Sequence, residues 1–101
     1  MSRDRDSRVA VVPSDPNSRD AVRAVYADLV PVTRQQDGCL SYDVYESSTV
    51  PGVIVVQGRW RSAEDVKAHS QSKHLADAIA ALQDHLTGDI VVHALDPAFS
   101  E

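Results

Sequence analysis

A chain of 101 residues with net charge −5, 43% hydrophobic and 25% charged residues has the composition of one globular domain, which excludes a disordered or fibrous chain. The ten Arg and Lys are scattered and form no basic stripe, so nucleic acid is excluded as a partner. The lone Cys39 rules out an internal disulfide, has no zinc-type spacing around it, and reads as a small buried hydrophobe without an adjacent base. No stretch nears the ~20 apolar residues of a membrane helix, so no membrane partner is expected. The charged start, Met1 to Ser7, has no apolar core behind it and is not a signal peptide, so a soluble, cytoplasmic protein is expected.

Residues 1–7 alternate Arg and Asp and are expected to be a disordered tail. Arg8-Val9-Ala10-Val11-Val12 is a short β-type run, ended at Pro13 or Ser14 by the turn-rich Ser14-Asp15-Pro16-Asn17. Asn17 or Ser18 then caps a helix with Asp20 in its first turn, and Val22, Val25, Tyr26, Leu29 and Val32 form its apolar stripe. Pro31 removes a backbone donor, so the helix should kink or split near Val30 before its pattern resumes and stops at Gly38.

From Cys39 to Glu46 the pattern has period two, with Leu40, Tyr42 and Val44 facing one way and Cys39, Ser41, Asp43 and Tyr45 the other. Pro51-Gly52 marks a turn, and Val53 to Trp60 is the hairpin partner, apolar enough on both faces for a central strand. Ser62 with Asp65 fits a capping box that opens a short helix, interrupted at Ser70-Gln71-Ser72. Ser72 caps a second piece with Leu75, Ile79, Leu82 and Leu86 as its stripe, ended by Gly88. Asp89 to Leu95 is a last strand, closed by Pro97.

The order β-α-β-β-α-β, with its second helix in two pieces, is the split βαβ, ferredoxin-like arrangement: an α+β fold with a four-stranded antiparallel sheet and helices on one face. It spans residues 8–96 as one domain, with residues 97–101 as a C-terminal tail. Val53, Val55 and Val91 or Val92 leave the opposite sheet face apolar. A bare apolar face of more than a few hundred Å² marks an interface, so a homodimer formed sheet to sheet, a dimeric α/β-barrel, is expected.

Gly38-Cys39-Leu40-Ser41-Tyr42, then Trp60 after an apolar strand, then Ala68-His69 and Ser72-Lys73-His74 resemble the antibiotic biosynthesis monooxygenase family from Val9 to about Leu95. The resemblance implies a pocket between helices and sheet. Members include cofactor-independent oxygenases acting on phenols and quinols, quinol monooxygenases, haem-degrading proteins and a sugar-phosphate isomerase. The activity implied is oxidation of a small aromatic phenol or quinol with O₂, without a cofactor.

In that frame His69 and His74 are the candidate catalytic bases, as rings that titrate near neutrality. Trp60, Tyr42, Val56 and Val66 are the candidate substrate-binding residues. Trp60 fits a core position as well as a pocket wall, and His69 fits helix packing as well as proton transfer. On a straight helix His69 and His74 point ~140° apart, so no two-His metal site is expected. His85 and His93 read as surface or packing residues.

The chain departs from the family pattern in several places. A frequent Glu two residues before the Trp is Gly58 here. The Asn four before it and the Tyr six after it in phenol oxidisers are Val56 and Val66. The Asn that haem-degrading members need on the first strand is missing from residues 8–12, which disfavours haem cleavage. Two other functions therefore stand beside the oxygenase: a non-catalytic dimeric module binding a small apolar ligand, and an isomerase or cyclase using the same histidines.

Overall fold

Alternation of apolar and polar side chains builds the sheet and places its buried face. In the computed structural model, which describes residues 5–99, the chain runs β1 (Asp6–Pro13), α1 (Arg19–Arg34), β2 (Cys39–Glu46), β3 (Val53–Trp60), α2 (Ala63–Ser70), α3 (Lys73–Leu82) and β4 (Val91–Leu95). The strands lie in the order β2-β3-β1-β4, all neighbours antiparallel. This is the ferredoxin-like α+β fold expected. On central β3 the period is clean: Ile54, Val56, Gly58 and Trp60 are buried beneath the helices, while Val53, Val55, Gln57 and Arg59 take the other face. Among the described residues no helix is long and apolar enough to cross a membrane.

The helices begin where their caps predict. The Ser62 hydroxyl accepts from the Asp65 N–H at the head of α2, and Ser72 does the same for Leu75 N–H at the head of α3. At the first helix the cap differs from expectation. Asp15 accepts from Asn17 N–H and caps a single 3-10 turn, Pro16–Ser18, that leads into α1. Ser18 makes no cap bond there; its hydroxyl meets His85 Nδ1 at 2.9 Å.

Six further expectations are corrected. The strand β1 starts at Asp6, inside the presumed tail, because the Asp6 carboxylate meets Arg8 Nε at 2.6 Å and the strand pairs along all of β3, with Asp6 opposite Trp60; residues 1–4 of that tail lie outside the described residues. Pro31 neither splits nor ends α1, which continues to Arg34. Both Pro31 and Ala27, whose carbonyl loses its donor, are exposed, so water can satisfy the freed group. The α1 stripe runs Val22, Tyr26, Leu29, Thr33, and leaves Val32 49% exposed.

The fourth correction is a β-bulge. Cys39 pairs with Trp60 and Ser41 with Arg59, so Leu40 is the extra residue and points outward. Cys39 is thereby returned to the Tyr42 side, where it packs against the core. Fifth, α3 ends at Leu82 and passes into a 3-10 turn, Gln83–His85; Leu86 reaches the core from a bridge to Ser14 instead. β4 starts at Val91, two residues later than its pattern suggests.

Gly38 joins α1 to β2 with φ +84°, and a Cβ there would run into the Asp65 carboxylate. Its carbonyl accepts the Arg61 N–H at 2.8 Å, so this turn meets the head of α2. Gly38→Ala is expected to cost about 1–3 kcal/mol, from the left-handed backbone and the displaced carboxylate together. Urea unfolding measures it; an unchanged midpoint would show that Asp65 is not packed over the turn.

Candidate functional site

Three aromatic rings gather where β2 and β3 meet α2. Trp60, 1% exposed, lies under His69 with ring centroids 4.7 Å apart and planes tilted by 34°. Tyr42 stands edge-on to both, 5.5 Å from His69 and 6.5 Å from Trp60. Gly58 makes room for them. A Cβ at that position would lie 2.9 Å from Trp60 Nε1 and 3.3 Å from Tyr42 Cδ1, so the family's Glu could not sit here with this indole.

Beside the rings a cavity of about 160 Å³ opens between sheet and helices. Two cross-strand rows make its floor: Tyr42, Gly58 and Arg8, then Val56, Ala10 and Val92. Leu29, Val66, Leu75, Ala78 and Leu82 close it from the helix side, with His69 and Ser70 at the Tyr42 end. The far end, toward Val12 and Ile90, is apolar. The cavity is thus apolar along most of its length and polar at one end. A larger cleft of about 270 Å³ lies beside the first 3-10 turn, but its Arg19 and Glu46 already pair with each other at 3.0 Å.

Of the residues singled out in the sequence, Tyr42, Val56, Val66 and His69 form the cavity wall. Trp60 stands one layer behind, stacked on His69. His74 is off the cavity, in a groove between α1 and α3. The straight-helix separation of the two histidines is not what the fold gives. The break between α2 and α3 re-aims them, so their rings come within 6.0 Å. Both reach Gln36: His69 Nδ1 and His74 Nε2 each lie 3.1 Å from its Oε1. Among the described residues no three of His, Cys, Asp and Glu are grouped to hold a metal ion.

Gln36 and Arg8 were not singled out beforehand. Arg8 was legible, since period two puts it on the face of Ala10 and Val12. Gln36 left no signal, because its role arises from two histidines that follow it by 33 and 38 residues. Arg34 further steadies the site: its Nε donates to the Tyr42 carbonyl at 2.9 Å and its Nη2 to Asp43 at 2.9 Å.

Burial governs protonation here. His69 is pulled down to about 4, first by burial and then by His74, so it is neutral at pH 7. The Tyr26 phenol is pushed up to about 12 by burial, and that of Tyr42 is raised for the same reason. The wall therefore carries neutral rings, apart from Arg8 with its Asp6 partner.

A family model described as antibiotic biosynthesis monooxygenase matches residues 8–81. Rv0793 of Mycobacterium tuberculosis is 37% identical over 82 residues, spanning 81% of this chain and 80% of that protein. Its solved structure superposes with a TM-score of 0.84 at 32% identity, covering 95% of this chain and 97% of that one. A solved structure of an antibiotic biosynthesis monooxygenase superposes with a TM-score of 0.86 at 26% identity, covering 92% of this chain and 98% of that chain.

The depressed His69 value sets a pH dependence of stability. Its folded value near 4 lies below the ordinary 6.5, so between those values the unfolded chain takes up a proton that the folded one refuses. Stability is complete above 6.5 and falls as pH drops toward 4. Melting temperature should therefore decline across that window in the native protein and less steeply in His69→Gln. Equal slopes would mean that His69 is not held neutral by its surroundings.

Proposed function

Because the chain belongs to the antibiotic biosynthesis monooxygenase family, we propose that it oxidises a small phenol or quinol with O₂ in the cavity beside His69. The supporting observation is an apolar cavity of about 160 Å³ with a neutral imidazole at one end. That volume is close to the ~150 Å³ of an engineered apolar cavity that holds benzene. A single-ring substrate fits it better than a fused tricyclic one.

The chemistry asks little of the protein. An electron-rich dihydroxybenzene donates an electron to O₂ once a hydroxyl proton has left. One oxygen atom then enters the ring and the other leaves as water, with all four electrons coming from the ring. The protein binds the ring, accepts the proton and keeps water away from the intermediate. His69 is the group placed to accept it. Its low basicity rises when a developing phenolate sits against it, since an opposite charge favours the imidazolium. Tyr42 borders the same end, Val56 and Val66 grip the ring, and Trp60 acts through His69 by holding its plane. His74 acts through Gln36.

The competing reading is a binding module without turnover, which the apolar Val56 and Val66 on the wall favour. Oxygen consumption by metal-stripped protein with methylhydroquinone and related single-ring quinols separates the two. The expected result is uptake above the spontaneous rate, reduced at least ~100-fold in His69→Ala, the usual range for losing a general base. Saturable binding without uptake would assign the module instead.

The subunit arrangement proposed is a dimer through the uncovered sheet face. Support comes from the row Tyr45, Val55, Val11, Val91 that crosses all four strands on that face, with Tyr45 55% and Val91 47% exposed. Light scattering should give twice the chain mass, and Val11→Lys should give a monomer. A native monomer at micromolar concentration would refute this arrangement.

A further inference from the structure

The backbone pins Gln36 on both sides: its N–H donates to the Thr33 carbonyl and its own carbonyl accepts the Cys39 N–H, each at 3.0 Å. Its side-chain oxygen lies 3.1 Å from both His69 Nδ1 and His74 Nε2. A carbonyl oxygen has two lone pairs and no proton, so it accepts one N–H from each ring. The proton of neutral His69 is then on Nδ1, and Nε2 keeps its lone pair. Among the described residues Nε2 has no hydrogen-bond partner, yet it is not sealed from solvent, and the ring lines the cavity.

We infer that Gln36 is a positioning residue that fixes His69 as the Nδ1–H tautomer, so that the cavity presents an acceptor and takes aromatic ligands bringing a hydroxyl donor. Of the other polar groups on the wall, the Ser70 hydroxyl donates to the Val66 carbonyl at 2.9 Å and Arg8 is held by Asp6, while the Tyr26 and Tyr42 phenols can donate as well as accept. His74 supplies a second N–H to the same oxygen, so the amide stays oxygen-inward as long as each ring carries its proton on the nitrogen that faces it. A quinol satisfies Nε2 with its O–H. A quinone offers only oxygen lone pairs and sets acceptor against acceptor at Nε2, so it gains nothing from this nitrogen. The inference rests on the cavity being the ligand site, and it does not require the oxidation chemistry.

Two measurements decide it. Long-range ¹H–¹⁵N correlation on the ligand-free protein should show the His69 proton on Nδ1. Gln36→Met should lose that preference, and Gln36→Glu, which keeps an acceptor, should retain it. A proton on Nε2 in the native protein would mean that the Gln36 NH₂ group lies between the rings, and would overturn the inference.

The second measurement is titration with p-cresol and its isostere p-xylene, which differ by O–H against CH₃. The native cavity should prefer p-cresol, and Gln36→Met should lower that preference about tenfold, the effect of one unmade buried hydrogen bond. Unchanged p-xylene binding in Gln36→Met shows the cavity intact. Should that variant fail to fold, the native spectrum and the native p-cresol to p-xylene ratio still decide. Tighter binding of p-xylene by the native protein overturns the ligand half. Binding of neither ring overturns that half together with the proposed function, while the ligand-free spectrum judges the tautomer separately.

Discussion

The contact on which the site depends is the indole of Trp60 lying beneath the imidazole of His69. An indole at the end of a central strand needs space along its own strand, and Gly58 supplies it by having no side chain. With that space filled, His69 is stacked on one face, edged by Tyr42 and largely buried, which is why its basicity falls. A Glu at position 58 would drive its Cβ against the indole and the Tyr42 ring and so displace the indole. The departure from the family pattern at Gly58 is therefore tied to the burial of Trp60.

The rest of the site follows from how the end of α1 is tied down. Arg34 grips β2 at Tyr42, Gly38 receives the head of α2, and Gln36 between them meets both histidines. The two histidines could not both reach Gln36 from one continuous helix. The Ser70–Ser72 interruption therefore does more than end α2: with Ser72 capping α3, it turns the chain so that residues five apart point to one oxygen. Cap, break and acceptor form one geometric unit built from separate parts of the sequence.

Local signals carried much of this fold. The period of β3, the caps at Ser62 and Ser72, and the punctuation at Gly38 and Pro51-Gly52 each rest on a few neighbouring residues and read directly. What did not read was tertiary. Pro31 is tolerated because its surroundings face water, and the burial of Thr33 in place of Val32 reflects which side of α1 meets the sheet. Asp6 joins β1 because a partner strand is long enough to receive it. In the site, Tyr42, Val56, Val66 and His69 were legible as a strand face and a helix position. The retreat of Trp60 behind His69, and of His74 behind Gln36, depends on packing that no single segment contains.

The bulge at Leu40 has a chemical consequence for the one thiol. By turning Cys39 toward the core it removes the sulfur from full solvent, and burial raises the thiol's pKa despite the nearby Arg34. A thiol kept protonated is a poor nucleophile. Electrophiles add to thiolates far faster than to thiols. A single inserted residue at the edge of the sheet thus lowers the reactivity of the thiol toward electrophiles.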